Sequence, residues 1–177
     1  MRALILALAL ASVSACAGAP APAAVSRLSA ANSATQLIAG ASVAMAVRTT
    51  PGRNGQDALT LMDLTLADGR VLRFEEANHA PADLAAQAPG GPLAQVMGLG
   101  EAAAPTLYRA RDVGAAGAFC APSGPALLGV ATDASGAVSM VGLKEAFGFE
   151  TQADGSLAPL PVGPAIVCAR LRFTRGG

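Results

Sequence analysis

Apolar residues recur at every second position through much of residues 42–174, and turn-forming residues interrupt them at short intervals. A period of two is that of a β-strand, whose alternate side chains face a core and solvent. Val43, Met45 and Val47 alternate with Ser42, Ala44, Ala46 and Arg48. Residues 59–66 form a second run whose phase slips at Leu61-Met62, so a β-bulge is expected there. Asp68-Gly69 separates that run from Val71-Leu72-Arg73-Phe74. It is the strongest hairpin signal in the chain, because glycine takes positive φ without steric cost. Further strands are expected over residues 106–111, 126–132, 137–143 and 166–174, with a hairpin turn at Asp133-Ala134-Ser135-Gly136. In the last run Val167, Ala169, Leu171 and Phe173 share one face; Cys168, Arg170 and Arg172 share the other. Residues 148–160 are ambiguous, with a turn at Asp154-Gly155.

Residues 75–104 break the pattern. Pro81 opens a short helical segment to Gln87, proline being suited to a first turn. Pro89-Gly90-Gly91-Pro92 stops it, residues 93–97 allow another helical turn, and the excursion is expected to cover one end of the sheet. The fold class is therefore mainly β: an antiparallel meander of seven or eight strands, closed as a small barrel or folded as a sandwich, with one or two short helices. Alanine supplies 43 of the 177 residues, so the 53% hydrophobic content overstates the core. What remains suits one domain of about 100–150 residues rather than two.

Residues 1–15 read differently. One arginine precedes an apolar run, and no acidic residue occurs before Asp57. This is the pattern of a secretory signal peptide, and the clean run ends near Val13, short of the roughly 20 residues a bilayer span needs. Val13-Ser14-Ala15-Cys16 resembles the lipobox of bacterial lipoproteins: an aliphatic residue, two small residues, then cysteine. The resemblance covers only the export segment. It implies cleavage before Cys16, a diacylglyceryl group on its thiol and acylation of the new amino group. Two or three chains anchor a protein where one binds reversibly. Ala17 in place of aspartate implies the outer rather than the inner membrane. The alternative is ordinary cleavage at Ala15-Cys16-Ala17 or Ala17-Gly18-Ala19, giving a soluble periplasmic or secreted protein. Residues 16–35, rich in alanine and proline, are expected to be the lipidated cysteine and a tether, of which the 16 residues from 17 to 32 would reach roughly 50 Å at about 3 Å per residue. Residues 36–177 are expected to form the single β domain.

Export also frames the cysteines. With Cys16 assigned to lipid, Cys120 and Cys168 remain as one possible pair, and an oxidising compartment lets a disulfide persist. Two buried thiols are the alternative. No Cys-x-x-Cys is present, which argues against thiol-redox chemistry.

Charge and motifs narrow the function without naming it. The 12 basic and 12 acidic residues balance, which disfavours nucleic-acid binding. Gly98-Leu99-Gly100-Glu101-Ala102-Ala103 satisfies a dinucleotide-binding spacing, but Pro105 and a strand follow instead of a helix. No cofactor is expected. Ser42 opens a strand rather than a nucleophile elbow, and Ser123 lies in a Pro/Gly turn; a hydrolase would need His79, the lone histidine, as its base. Glu75, His79 and Asp83 would share a helix face as metal ligands, but Pro81 disfavours a helix through them, and no metal is expected. Arg109, Arg111, Arg170 and Arg172 alternate on two strands. Were those strands neighbours, they would line a face for an anionic lipid, glycan or acidic protein. The expectation is a non-enzymatic envelope lipoprotein, anchored in the outer membrane and facing the periplasm, with a binding or structural role. Rivals are a periplasmic inhibitor-type module, similar to lysozyme inhibitors in architecture only, and a small hydrolase using serine and His79.

Overall fold

The computed structural model describes residues 23–51, 58–111, 119–120 and 127–175. Eight strands close an antiparallel barrel in the order β1-β10-β7-β6-β5-β4-β3-β2. They are β1 (Ala24–Ala30), β2 (Ser42–Thr50), β3 (Leu59–Thr65), β4 (Val71–Glu76), β5 (Thr106–Ala110), β6 (Leu127–Thr132), β7 (Val138–Leu143) and β10 (Val167–Arg175). A separate hairpin, β8 (Phe149–Thr151) with β9 (Leu157–Pro159), precedes the last strand. Three short helices complete the described chain: α1 (Ser33–Ala39), α2 (Pro81–Gln87) and α3 (Pro92–Met97). Among the described residues no helix is long and apolar enough to cross a membrane.

Eight strands leave an interior just wide enough for side chains to fill. Leu28, Met62, Leu64, Leu72, Phe74, Leu128, Met140 and Phe173 fill it, each almost completely buried. Arginines and carboxylates, among them Arg48, Asp63, Arg109 and Arg172, occupy alternate positions outside. That polarity is the reverse of a lipid-embedded barrel, whose outer band is apolar.

The Asp68-Gly69 hairpin forms as the sequence predicts. Gly69 sits at φ +86°, and Asp68 accepts a hydrogen bond from Arg70 N at 3.0 Å. That bond and the Arg70 side chain hold the Asp68 carboxyl below its ordinary value. The Asp133–Gly136 turn has the same design: Asp133 accepts from Ser135 N at 2.8 Å.

Four expectations are corrected. Residues 24–30, placed in the tether, form β1, which pairs with β2 and β10 and closes the barrel. α1 begins at Ser33, so the ordered domain starts well before residue 36. The bulge expected at Leu61-Met62 is absent: β3 keeps unbroken register with β2 and β4. Leu61 lies on the outer face between Arg48 and Glu75, and Met62 points inward. The register shift falls instead in β10, between Val167 and Ala169. It turns Val167 into the outer cluster and Cys168 toward the interior cluster, exchanging the faces that strict alternation assigned to them.

The helices also sit elsewhere than the end of the sheet. A second apolar cluster, containing Ala86, Leu93, Leu107, Leu127, Val141 and Leu143, packs α2 and α3 against the outer wall of β5, β6 and β7. Gly129 permits this approach, since a Cβ there would lie 2.6 Å from Leu93 Cδ1. Gln87 clamps α2 in place. Its Nε2 donates to Ala77 O at 2.6 Å, and its Oε1 accepts from Leu107 N at 2.8 Å. α1 is fastened differently. Asn32 Oδ1 caps it by accepting from Thr35 N at 2.8 Å, and the fully buried Thr35 Oγ1 accepts from Arg172 N at 2.9 Å.

Tyr108, on the inner face of β5, is 6% exposed. Burial first, and the nearby Glu76 charge second, push its hydroxyl up to about 12 from 10.0. The folded state thus holds this proton more tightly than the unfolded chain. Stability from this group is complete below pH 10 and is lost as pH rises toward 12. Tyr108 is the sole tyrosine in a chain without tryptophan, so tyrosinate absorbance reports it directly. An alkaline titration should give a midpoint near 12, moving to about 10 in denaturant. A midpoint near 10 in the folded protein would contradict the placement.

Candidate functional site

Cys120 and Cys168 are joined by a disulfide, with Cα atoms 5.4 Å apart. The β10 irregularity aims Cys168 inward, and Gly142 on the neighbouring strand makes room for it. A Cβ at Gly142 would lie 3.2 Å from each sulfur. The bridge fastens the start of β10 to the segment that links β5 and β6.

The four arginines do not form one face. β6 and β7 stand between β5 and β10 in the barrel. Arg109 pairs with Asp83 at 3.2 Å and Arg111 with Glu75 at 3.4 Å. On β10, Arg172 pairs with Asp133 at 3.6 Å, while Arg170 Nη1 donates to the Val96 carbonyl at 2.7 Å. Sequence alternation placed each arginine on the outer surface; the strand order that separates them arises from closure.

A charged cleft of about 430 Å³ lies where β4 ends, lined by Glu75, Glu76, His79, Asp83, Arg109 and Arg111. Glu75 is on β4 and Asp83 on α2, so they do not share a helix face with His79. Both carboxylates face arginines. Among the described residues no group of three or more His, Cys, Asp and Glu is placed to hold a metal ion. Ser42 opens β2 at one end of the barrel and His79 follows β4 at the other, so the structure does not bring them together. Ser123 and Cys16 lie outside the described residues. Gly98 ends α3 in the left-handed conformation, so the Gly98–Ala103 spacing follows a helix instead of a strand. His79 is exposed, and His79→Ala should change unfolding free energy by no more than about 0.5 kcal/mol in a denaturant titration. A loss of several kcal/mol would show a structural role.

A larger trough, about 640 Å³, runs beside β10 and was not visible in the sequence. α3 forms one wall with Pro92, Gln95 and Val96; Pro159, Leu160, Pro161 and Val162 form the other. Arg170 closes one side and also borders a smaller hollow of about 180 Å³ that contains Asn32, Ser139 and Arg172. The only sequence signal was the Pro159-Leu160-Pro161-Val162 run, which is apolar and, beyond Pro159 at the end of β9, outside any strand.

No protein-family model, curated protein or solved structure matches this chain.

Proposed function

We propose that the chain is an envelope lipoprotein, acylated on Cys16 and held at the outer membrane, that presents its barrel to the periplasm in a binding or structural role. The observation that carries this reading is the Cys120–Cys168 bridge. It uses both downstream cysteines in a bond suited to an oxidising compartment and leaves Cys16, at the lipobox position, as the remaining thiol. Residues 17–23, however arranged, span at most about 25 Å, so the barrel stays close to the anchored sulfur. β1 begins at the end of the barrel where β10 finishes, since Leu28 pairs with Arg175 and Ala30 with Phe173. The bridge, α1 and the Asp68-Gly69 hairpin belong to the opposite end, which this geometry turns away from the membrane.

The barrel interior is filled by side chains, and Ser42 and His79 lie at opposite ends of the barrel, which supports a non-catalytic role. An inhibitor-type module is the second reading, favoured by an eight-stranded barrel with one bridge. It predicts that the purified chain inhibits lysozyme, and absence of inhibition removes it. For the principal reading, cells producing the chain are fed an alkyne fatty acid. The wild-type protein should be labelled and the Cys16→Ser variant should not. Equal labelling of both would overturn the proposal.

A further inference from the structure

The trough beside β10 has the chemistry of a binding site for an amphiphile. Its volume of about 640 Å³ falls within the range of small-molecule sites, roughly 300–1,000 Å³. Pro92, Pro159 and Pro161 supply wall without backbone N–H donors, and Val96, Leu160 and Val162 add aliphatic surface. Leu160 is 46% exposed, an apolar side chain left facing solvent at the site. The polar groups gather at one side. Arg170 belongs to both the trough and the adjoining hollow, and Arg172 borders the hollow.

Charge decides the head group. No acidic side chain lines either hollow among the described residues. Arg170 spends one donor on the Val96 carbonyl, a neutral partner, at 2.7 Å. That bond fixes the guanidinium at the rim without cancelling its charge, and a fixed fork suits carboxylate or phosphate oxygens. Arg172 is paired with Asp133 at 3.6 Å, both side chains being about half exposed, a weak pair that can yield to a stronger anion.

We propose that this trough binds a single-chain amphiphile with an anionic head. The chain lies among Val96, Leu160, Pro161 and Val162, and the head meets Arg170, with Arg172 as the next cation along β10. The inference rests on the proposed binding role for its setting, and on the trough alone for its chemistry.

The test uses the full chain recovered from membranes and reconstituted in phosphatidylcholine vesicles. One arm adds diazirine-bearing palmitate, a second adds a diazirine-bearing lysophosphatidic acid, and a third adds the uncharged diazirine-bearing alcohol. After irradiation the crosslinked peptides are mapped by mass spectrometry. Crosslinks should concentrate on residues 92–97 and 159–163, with at least one anionic probe captured far better than the alcohol. The stronger anionic arm identifies the head as carboxylate or phosphate. Arg170→Gln should lower capture about tenfold, the loss expected for one charge-assisted contact. Val162→Ser adds no charge and alters neither partner of the Arg170–Val96 bond, and should also reduce it, which guards against a shift of α3 in the first variant. Both variants are checked for an intact Cys120–Cys168 bridge. Capture spread over the barrel, equal capture of the alcohol, or capture unchanged in both variants would overturn the inference. An unacylated chain that still captures the probes at the trough would break the anchor reading alone.

Discussion

Replacing Cys120 and Cys168 together by serine should lower the unfolding free energy by about 4 kcal/mol in a denaturant titration. The bridge closes a loop with a sequence separation of 48, and the chain-entropy cost of freeing such a loop in the unfolded state is of that size. The bond also has a local task. It holds Cys168 at the irregular start of β10, the strand that pairs with both β1 and β7 to close the barrel. Small domains have roughly 5–15 kcal/mol of stability in total, so the double variant is expected to be marginal. Its yield from an oxidising compartment should fall accordingly. Loss of less than about 1 kcal/mol would show that closure does not depend on the staple.

Phe74→Ala should cost a comparable amount, about 3–5 kcal/mol. Phe74 is fully buried on the inner face of β4, in the cluster that also holds Met62, Leu128 and Phe173. Removing the ring leaves a cavity that a closed barrel cannot collapse to fill, because each strand is held by two neighbours. Leu84→Ala is the matched control: Leu84 is 53% exposed on α2, and its loss should stay within about 0.5 kcal/mol. Equal costs for the two substitutions, in the same titration, would mean that the barrel interior is not the core.

The hairpins were legible because their signals are local. Asp68-Gly69 and Asp133–Gly136 combine a carboxylate that accepts from the backbone two residues on with a glycine at positive φ. β1 was not legible. Its sequence, Ala-Val-Ser-Arg-Leu-Ser-Ala, buries only Leu28 fully, and it becomes a strand because β2 and β10 supply hydrogen bonds on both sides. The apparent phase slip at Leu61-Met62 had another source. Strands carry apolar residues on both faces where the outer wall is also covered or shielded, so Leu61 needs no bulge. The same holds for Leu127 and Leu143, whose outer side α2 and α3 help to cover. The true irregularity at Cys168 has no signature in alternation, since Val167 and Ala169 are both apolar and either face accepts them. Arg170 was singled out with Arg109, Arg111 and Arg172 as part of one face, which the strand order does not form. The role of Arg170 at the trough depends on α3 and the Pro159–Val162 segment arriving from distant parts of the chain.

The anchor is the central claim, and the intact mass of the chain extracted from the outer-membrane fraction tests it most directly. The account predicts a protein that begins at Cys16, carries the added mass of a diacylglyceryl group and an amide-linked acyl chain, and keeps the Cys120–Cys168 bridge under non-reducing conditions. A chain that begins at another residue, or that begins at Cys16 without lipid and is recovered from the soluble fraction, would contradict it.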